Sequence, residues 1–123
     1  MVISIAAGVR AGDIETWLGG NLPVVRVMPN QPALILKGAS GLYANERTTA
    51  EQRDRATEIV SAVGSVVHVA DEESLDAVTA ISGTGPAYFY LLVDMLVKVA
   101  EQMGLQHDAA LALVLETARG AGE

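Results

Sequence analysis

The sequence predicts an α/β protein in which an open sheet is followed by an all-helical region. Residues 1–70 alternate short apolar runs with helix-like segments, which is the β-α-β order of an open sheet. After Asp71 no strand pattern appears, and apolar residues recur at steps of three and four. We therefore divide the chain into a sheet region, residues 1–70, and a helical region, residues 71–123.

Four apolar runs predict the strands of the sheet region. The first run is nearly all apolar, as in a strand that is covered on both faces, yet few further strands follow to cover it. We therefore expect the sheet region to be the trailing part of a larger sheet domain. The four predicted strands are residues 2–7, 24–28, 41–44 and 65–70.

Two helices are predicted between these strands. Residues 13–18 form the first and shorter one. The second begins at Thr48, because Thr48 and Glu51 fit a capping box, in which a hydroxyl and a carboxylate each bond the other's backbone N–H. It runs to about Ala62, and Gly64 supplies its stop.

The helical region contains one helix that is apolar nearly all round. Asp94 and Lys98 are expected to pair at i,i+4 on its narrow polar strip. Such a helix must be covered on more than one side, and the chain offers only one long helix after it, so we expect missing sequence or a partner subunit. The predicted helices are residues 72–81, 86–103 and 108–119.

Composition excludes several classes of function. The chain has no cysteine, so disulfides, thiol catalysis and cysteine-bound zinc are excluded, and His68 and His107 lack metal-ligand spacing. A net charge of −7 disfavours nucleic-acid and anionic-membrane binding. The most apolar stretch, Pro86–Ala100, is too short to span a bilayer. We expect a soluble cytoplasmic protein with no metal, nucleic-acid or membrane partner.

The segment Ser82–Tyr88, SGTGPAY, is the most informative motif. Its two glycines permit a tight turn, Pro86 suits a first helical position, and the Ser82 or Thr84 hydroxyl can cap the helix. Amides at such a turn bind anions, carboxylates included. The alternative is an efficient helix start between packed helices. It is not a dinucleotide phosphate loop, because Tyr88 replaces the third glycine and no strand precedes it.

The ends of the first two strands form a second candidate site. Ligands of open α/β sheets gather outside the carboxyl ends of strands, where small residues let a flat ring approach the backbone. Ordinary turn and loop residues are the alternative. The candidates are Ala6, Ala7 and Gly8 after the first strand and Met28, Pro29 and Asn30 after the second.

Together these segments resemble the pyrroline-5-carboxylate reductase family. The matching motifs keep the family's order and spacing over almost the whole chain. Two departures are Gln31, where the family most often has Thr, and Thr84, where it usually has Ser. The motifs are ISIAAGV at 3–9, VVRVMPNQPA at 24–33, GASGLYA at 38–44, DAVTAISGTGPAYFYLLVD at 76–94, GL at 104–105 and ETARGAG at 116–122.

The resemblance implies a Rossmann-type domain followed by a helical domain that dimerises by interleaving with its partner. Residues 1–70 then correspond to the C-terminal part of the NAD(P)-binding domain, and residues 71–123 to the N-terminal part of the dimerisation domain. The family's glycine-rich cofactor loop lies before residue 1, and its Pro-Gly-Gly-Ser/Thr-Thr segment lies after Glu123. We therefore expect the isolated chain to be inactive and to form a homodimer or higher homo-oligomer.

The implied activity is that of an oxidoreductase of proline biosynthesis. Hydride passes from NADPH or NADH to the C=N carbon of 1-pyrroline-5-carboxylate and gives L-proline, in the last step of that pathway. The sequence identifies no proton donor and does not decide between the two cofactors. By resemblance the cofactor-binding residues are Ala6, Ala7, Gly8, Met28, Pro29 and Asn30, and the substrate-facing residues are Ser82, Gly83, Thr84 and Gly85.

Two other functions stay open at this point. The apolar long helix is compatible with a non-enzymatic dimerisation or interaction module. A dehydrogenase of the β-hydroxyacid type has a similar two-domain plan, with a catalytic lysine in a helix of its second domain. The single lysine of the helical region, Lys98, is expected to lie on the polar strip, away from the glycine turn.

Overall fold

The computed structural model describes all 123 residues, in two compact units, Met1–Pro86 and Ala87–Glu123. The first unit holds a four-stranded sheet with helices, and the second unit is helical. The α/β class is confirmed. The strands are β1 (Val2–Ser4), β2 (Val24–Met28), β3 (Gly38–Ala44) and β4 (Gly64–His68). The helices are α1 (Ala11–Trp17), α2 (Ala50–Ser61), α3 (Ser74–Val78), α4 (Gly85–Gln102) and α5 (His107–Ala121), with a 3₁₀ segment (Gln31–Ile35) and a π-helical segment (Thr79–Gly83).

The sheet is mixed, with strand order β1-β2-β3-β4. β1 and β2 are parallel, β2 and β3 are antiparallel, and β3 and β4 are parallel. The antiparallel step follows from the link between β2 and β3, residues 29–37, which is too short for a helical crossover. The carboxyl ends of β1 and β2 therefore lie at one edge of the sheet, beside the amino ends of β3 and β4.

Three strands differ from the sequence prediction, and one of them, β4, covers Gly64–His68 instead of residues 65–70. β1 ends at Ser4 instead of residue 7, and the Ser4 hydroxyl accepts a hydrogen bond from the Ala6 N–H at 3.3 Å just after it. The strand is only half-buried, because it pairs with β2 alone. β3 begins at Gly38 instead of residue 41 and is the longest strand. Its glycines explain the weak pattern, since buried Gly38 and Gly41 lack the side chains that mark a strand.

The core is aliphatic and covers both faces of the sheet. Neighbouring residues of a strand point to opposite faces, so Val24 packs with α1 while Val25 and Val27 pack with α2. The α1 cluster is Ala11, Ile14 and Val24, and the α2 cluster is Val25, Val27, Leu42, Ala56 and Val60.

The capping box of α2 lies one residue later than predicted. Thr49 is the N-cap: its hydroxyl accepts from the Gln52 N–H at 3.2 Å, and the Gln52 side chain accepts from the Thr49 N–H at 3.0 Å. The Thr48 and Glu51 prediction is wrong because the Thr48 hydroxyl is engaged elsewhere. It donates to Asn45 Oδ1 at 2.9 Å.

The helical run from Ser74 to Gln102 is 29 residues long and contains α3, the π-helical segment and α4. By length and composition alone it could cross a membrane. Pro86–Ala100 is thus only part of a longer helical run, and the prediction that its length excludes a membrane span is wrong.

The first unit continues past residue 70, where the sequence analysis divides the chain. Leu75 of α3 is buried, and Val78 lies against Gly41 of β3, so α3 packs on the sheet. The first unit ends at Pro86. The boundary between residues 70 and 71 stays a prediction about the domains of the family.

The second unit buries little of its apolar surface. Val97 and Ala110 are buried, and Lys98 pairs with Asp94 at 2.7 Å as predicted. That ion pair and its hydrogen bond raise the pKa of Lys98. Most large apolar side chains of α4 are exposed, among them Tyr88, Phe89, Leu91, Leu92, Met95 and Val99.

Candidate functional site

The candidate site lies at the sheet edge where β1 and β2 end. Ala6, Ala7 and Gly8 are exposed after β1. Gly8 has a φ of +74°, a left-handed conformation that favours glycine, and no atom lies within 4 Å of a Cβ added there. The backbone at Gly8 is thus open to close approach.

At the end of the neighbouring strand, Met28, Pro29 and Asn30 are half-buried. β1 and β2 run parallel in a register that pairs Ser4 with Arg26. Both predicted cofactor segments therefore leave the sheet on the same side, as sequence reasoning anticipated.

The side chain of Asn30 joins this edge to the second candidate segment. Its Oδ1 accepts from the Ala39 N–H at 2.9 Å, and its Nδ2 donates to the Ser82 carbonyl at 3.1 Å. Asn30 and Ser82 lie in the same compact unit, 52 residues apart in the chain. The structure thus brings together the MPN segment, residues 28–30, and the SGTGPAY segment, residues 82–88, which are distant in sequence.

A close approach at Gly83 strengthens this junction. A Cβ on Gly83 would lie 3.1 Å from Cε of Met28, tighter than an ordinary van der Waals contact. The glycine therefore lets the helical segment lie against the methionine at the end of β2. By contrast, nothing lies within 4 Å of a Cβ placed on Gly8 or Gly85.

The predicted glycine turn is wrong in its local geometry. Residues 79–83 are π-helical, and the Thr84 N–H donates to the Thr79 carbonyl at 2.8 Å, so the chain passes from α3 into α4 without a reversal. Neither Gly83 nor Gly85 has a positive φ. Both glycines serve a continuous helical path. π-Helical turns are rare and are frequent at functional sites.

The two hydroxyls of the segment do not cap α4. Ser82 Oγ donates to the Val78 carbonyl at 3.1 Å, and Thr84 Oγ1 donates to the Thr79 carbonyl at 3.0 Å. Serine and threonine inside helices commonly bond back to the preceding turn in this way. Both hydroxyls retain the capacity to accept a further bond.

An ion-pair network that sequence reasoning missed holds α1 and α3 to the sheet. Glu72 Oε1 accepts from Arg26 at 2.8 Å and from the Ala11 N–H at 2.6 Å. The sequence did contain a sign of this network, because Arg26 is a charged residue inside the apolar run VVRVM. A half-buried arginine requires a carboxylate partner.

Asp71 caps the start of α3. Its Oδ1 accepts from the Ser74 hydroxyl at 2.7 Å and from the Ser74 N–H at 2.8 Å. These bonds hold the pKa of Asp71 below its ordinary value. The cap fixes where α3 starts, and with it the register of the helical segment that reaches Ser82.

Comparison with known proteins shows which family the chain resembles. Residues 72–123 match the family model for pyrroline-5-carboxylate reductase dimerisation. The whole chain is 49% identical to a pyrroline-5-carboxylate reductase of Pseudomonas aeruginosa and 38% identical to that of Haemophilus influenzae. The chain is similar over its full length to members of the pyrroline-5-carboxylate reductase family. It spans 45% of the length of each of these two relatives.

Solved reductase structures have the same fold. The pyrroline-5-carboxylate reductase of Coxiella burnetii matches 98% of this chain with a TM-score of 0.95 at 42% identity, and the match covers 45% of that protein. The reductase of Plasmodium falciparum, solved with NADP bound, matches 96% of this chain with a TM-score of 0.88 at 33% identity, over 46% of that protein.

The candidate site is suited to holding groups in position. The three candidate segments, residues 6–8, 28–30 and 82–85, carry no side chain that ionises near neutral pH. They offer small residues, an apolar methionine and proline, a carboxamide and two hydroxyls. Such a site can orient a flat ring and accept or donate hydrogen bonds. Its side chains supply neither a hydride nor a proton, so these must come from the bound molecules.

Proposed function

We propose that this chain forms part of the reaction cleft of an NAD(P)H-dependent pyrroline-5-carboxylate reductase. The observation that carries the proposal is the junction of Met28 and Asn30 with Gly83 and Ser82. In the family these two motifs serve the cofactor and the substrate. A reductase needs both at one place, because hydride transfer requires the two reacting carbons to be in contact.

The residues at the sheet edge fit a nicotinamide cofactor. The open backbone at Gly8 and the small side chains of Ala6 and Ala7 leave room for a flat ring and its ribose. Met28 and Pro29 present half-buried apolar surface beside them. When bound, NADPH or NADH supplies the hydride. The role of this chain is to fix the plane and depth of the ring.

Residues 82–85 would face the cyclic imino acid. Reduction adds a hydride to the C=N carbon and a proton to the ring nitrogen, which gives proline. The three candidate segments hold no acidic side chain, so we assign no proton donor among them. Their contribution is orientation and the exclusion of water, which suffices where the cofactor carries the chemistry.

A chimeric enzyme tests this proposal. The chain replaces the section that it matches in the Pseudomonas aeruginosa reductase, to which it is 49% identical over its full length. We expect NADPH-dependent reduction of pyrroline-5-carboxylate within about tenfold of the parent rate, a barrier difference of about 1.4 kcal/mol. The isolated chain should show no turnover.

Two results would contradict the proposal. A chimera that folds and oligomerises like the parent but reduces no pyrroline-5-carboxylate would remove the enzymatic assignment. Turnover by the isolated chain would remove the claim that it is inactive alone. Circular dichroism and sizing of the chimera separate loss of activity from loss of folding.

We also propose that the chain assembles as a soluble, cytoplasmic homo-oligomer through the second unit. The exposed apolar side chains of α4 favour this role, because so large an apolar surface is unfavourable in water. Assembly is compatible with the enzymatic role and, taken alone, is the second candidate function. No observation favours a β-hydroxyacid dehydrogenase, since Lys98 is paired with Asp94.

Light scattering tests assembly. The wild-type chain should be a dimer or larger, and Leu92→Lys should shift it toward monomer. Leu92 is 53% exposed on α4. Gln102→Lys, which adds the same charge at an exposed polar position of the same helix, is the control and should leave the size unchanged. A well-behaved wild-type monomer, or association only with lipid vesicles, would contradict the proposal.

A further inference from the structure

We propose that Asn30 is a positioning residue, whose carboxamide fixes the substrate-facing helical segment against the cofactor end of the sheet. This inference rests on the proposed reductase function and refines it. The resemblance places Asn30 among the residues that contact the cofactor. The geometry gives its side chain a different task.

The orientation of the Asn30 carboxamide is determined by its partners. Ala39 offers an N–H, which needs the oxygen, and Ser82 offers a carbonyl, which needs the nitrogen. Reversing the amide would place two donors together and two acceptors together. Half of the four hydrogen-bonding positions of the carboxamide are thus occupied by the backbone of this chain.

The loop that carries Asn30 is itself held in place. The Asn30 carbonyl accepts from the Ala33 N–H at 3.1 Å, at the start of the 3₁₀ segment. The Pro32 carbonyl accepts from the Lys37 N–H at 3.0 Å. Asn30 therefore links two ordered strands, through the ends of β2 and β3, to the segment that contains Ser82.

The Ser82 carbonyl lies in the π-helical segment, the least regular part of the helix, where a contact from outside the helix is most needed. A π-helical turn is less favourable than an α-helical one and rarely persists without a reason in its surroundings. The Asn30 Nδ2 bond satisfies the Ser82 carbonyl in that turn, while Gly83 rests on Met28. The hydrogen bond holds residue 82 relative to residues 28–30, and the absence of a side chain at Gly83 leaves room for the Met28 methyl group.

The consequence for catalysis is specific. If Asn30 positions the segment, its loss should lower kcat, because a displacement of about 1 Å from the reactive geometry reduces rates by about 100-fold. If Asn30 instead bound the cofactor directly, its loss should chiefly raise the KM for NADPH. The ratio of these two effects distinguishes the two roles.

Asn30→Asp is the informative variant. The carboxylate keeps an acceptor for the Ala39 N–H but loses the donor and faces the Ser82 carbonyl. Asn45→Asp is its matched control. Asn45 also bridges two backbone groups, since it accepts from the Val24 N–H at 3.0 Å and donates to the Leu22 carbonyl at 3.0 Å. Neither of its partners belongs to the candidate site.

The first measurement uses the 123-residue chain and needs no activity. The Thr84 N–H, bonded to the Thr79 carbonyl, reports on the π-helical turn. Hydrogen exchange of this amide should be about 5–10-fold faster in Asn30→Asp, as expected for one lost hydrogen bond, and should be unchanged in Asn45→Asp. Equal exchange in the wild type and Asn30→Asp would overturn the proposed clamp.

The second measurement uses the active chimera. Asn30→Asp should lower kcat by about 10–100-fold with the KM for NADPH within about threefold of the wild-type value, and Asn45→Asp should leave kcat within about threefold. A large rise in the KM for NADPH with unchanged kcat would overturn the positioning role. An inactive parent chimera would instead refute the proposed function, and the exchange measurement would still decide whether Asn30 holds the segment.

Discussion

Gly41 of β3 and Val78 of α3 lie so close together that a Cβ on Gly41 would be 2.7 Å from both methyl carbons of Val78. Only a glycine at this buried position lets α3 rest directly on the sheet. Because α3 continues into the π-helical segment, this contact sets the distance between the sheet and Ser82. A packing relationship in the core thus determines the geometry of the candidate site.

The Gly41→Ala substitution should destabilise the first unit by about 1–3 kcal/mol, the usual cost of overpacking a core. Val78 is branched and its methyl groups have no flexible end that could move aside, so the helix itself must shift. Chemical denaturation of the chain, followed by circular dichroism, measures the effect. A denaturation midpoint equal to that of the wild type would contradict it.

Gly12→Ala is the control for this measurement. Gly12 lies inside α1 with ordinary helical φ, and nothing lies within 4 Å of a Cβ placed there. Alanine is better than glycine in a helix by about 0.5–1 kcal/mol, so this variant should be neutral or more stable. Gly41→Ala should therefore lower the unfolding free energy, while Gly12→Ala should not.

The ion pair between Arg26 and Glu72 should contribute measurably to stability, unlike the exposed pairs. Their side chains are only 11% and 16% exposed, and Glu72 also accepts from the Ala11 N–H. Glu72→Gln leaves the Arg26 charge without its partner and should cost about 2–3 kcal/mol of unfolding free energy. Denaturant titration at low and high salt checks this value.

Glu73→Gln serves as the comparison for Glu72→Gln. Glu73 pairs with Arg10 at 3.1 Å, but the two side chains are 67% and 58% exposed. Water screens such a pair, so the change in stability should stay within about 0.5 kcal/mol. If Glu73→Gln proved as destabilising as Glu72→Gln, burial would not be the deciding factor and the interpretation of the network would fail.

The sequence predicts well those features that depend on local patterns. The bounds of β2, the aliphatic core and the Asp94–Lys98 pair follow from apolar runs and from i,i+4 spacing. It fails where a distant residue decides the outcome. β3 is longer than its pattern because buried glycines carry no signal, and the helical path through Gly83 depends on Asn30 and Met28.

The helix cap of α2 shows the same limit at a smaller scale. Thr48 and Thr49 both fit a cap, and the choice depends on Asn45, which takes the Thr48 hydroxyl. Thr49→Ala should therefore destabilise the protein by about 1 kcal/mol, while Glu51→Gln should have an effect within about 0.5 kcal/mol. Thermal denaturation of both variants checks the assignment. A larger loss of stability in Glu51→Gln than in Thr49→Ala would instead support Thr48 as the N-cap.

Tyr43 should limit stability at alkaline pH. Burial is the main cause that raises the pKa of Tyr43 above its ordinary value of 10.0, and the nearby carboxylates of Glu72, Glu46, Glu73 and Asp71 raise it further. The folded state therefore keeps its proton to higher pH than the unfolded state does. This contribution is fully present below pH 10.0 and is lost as the pH rises through the pKa of the folded state.

Tyr43→Phe should remove that alkaline loss, because phenylalanine has no proton to release. The unfolding free energy of the variant should fall less steeply above pH 10.0 than that of the wild type. Tyr90→Phe is the control, since Tyr90 is exposed on α4 in the other unit, and it should leave the alkaline slope as in the wild type. Parallel slopes for the wild type and Tyr43→Phe would show that another group governs alkaline unfolding.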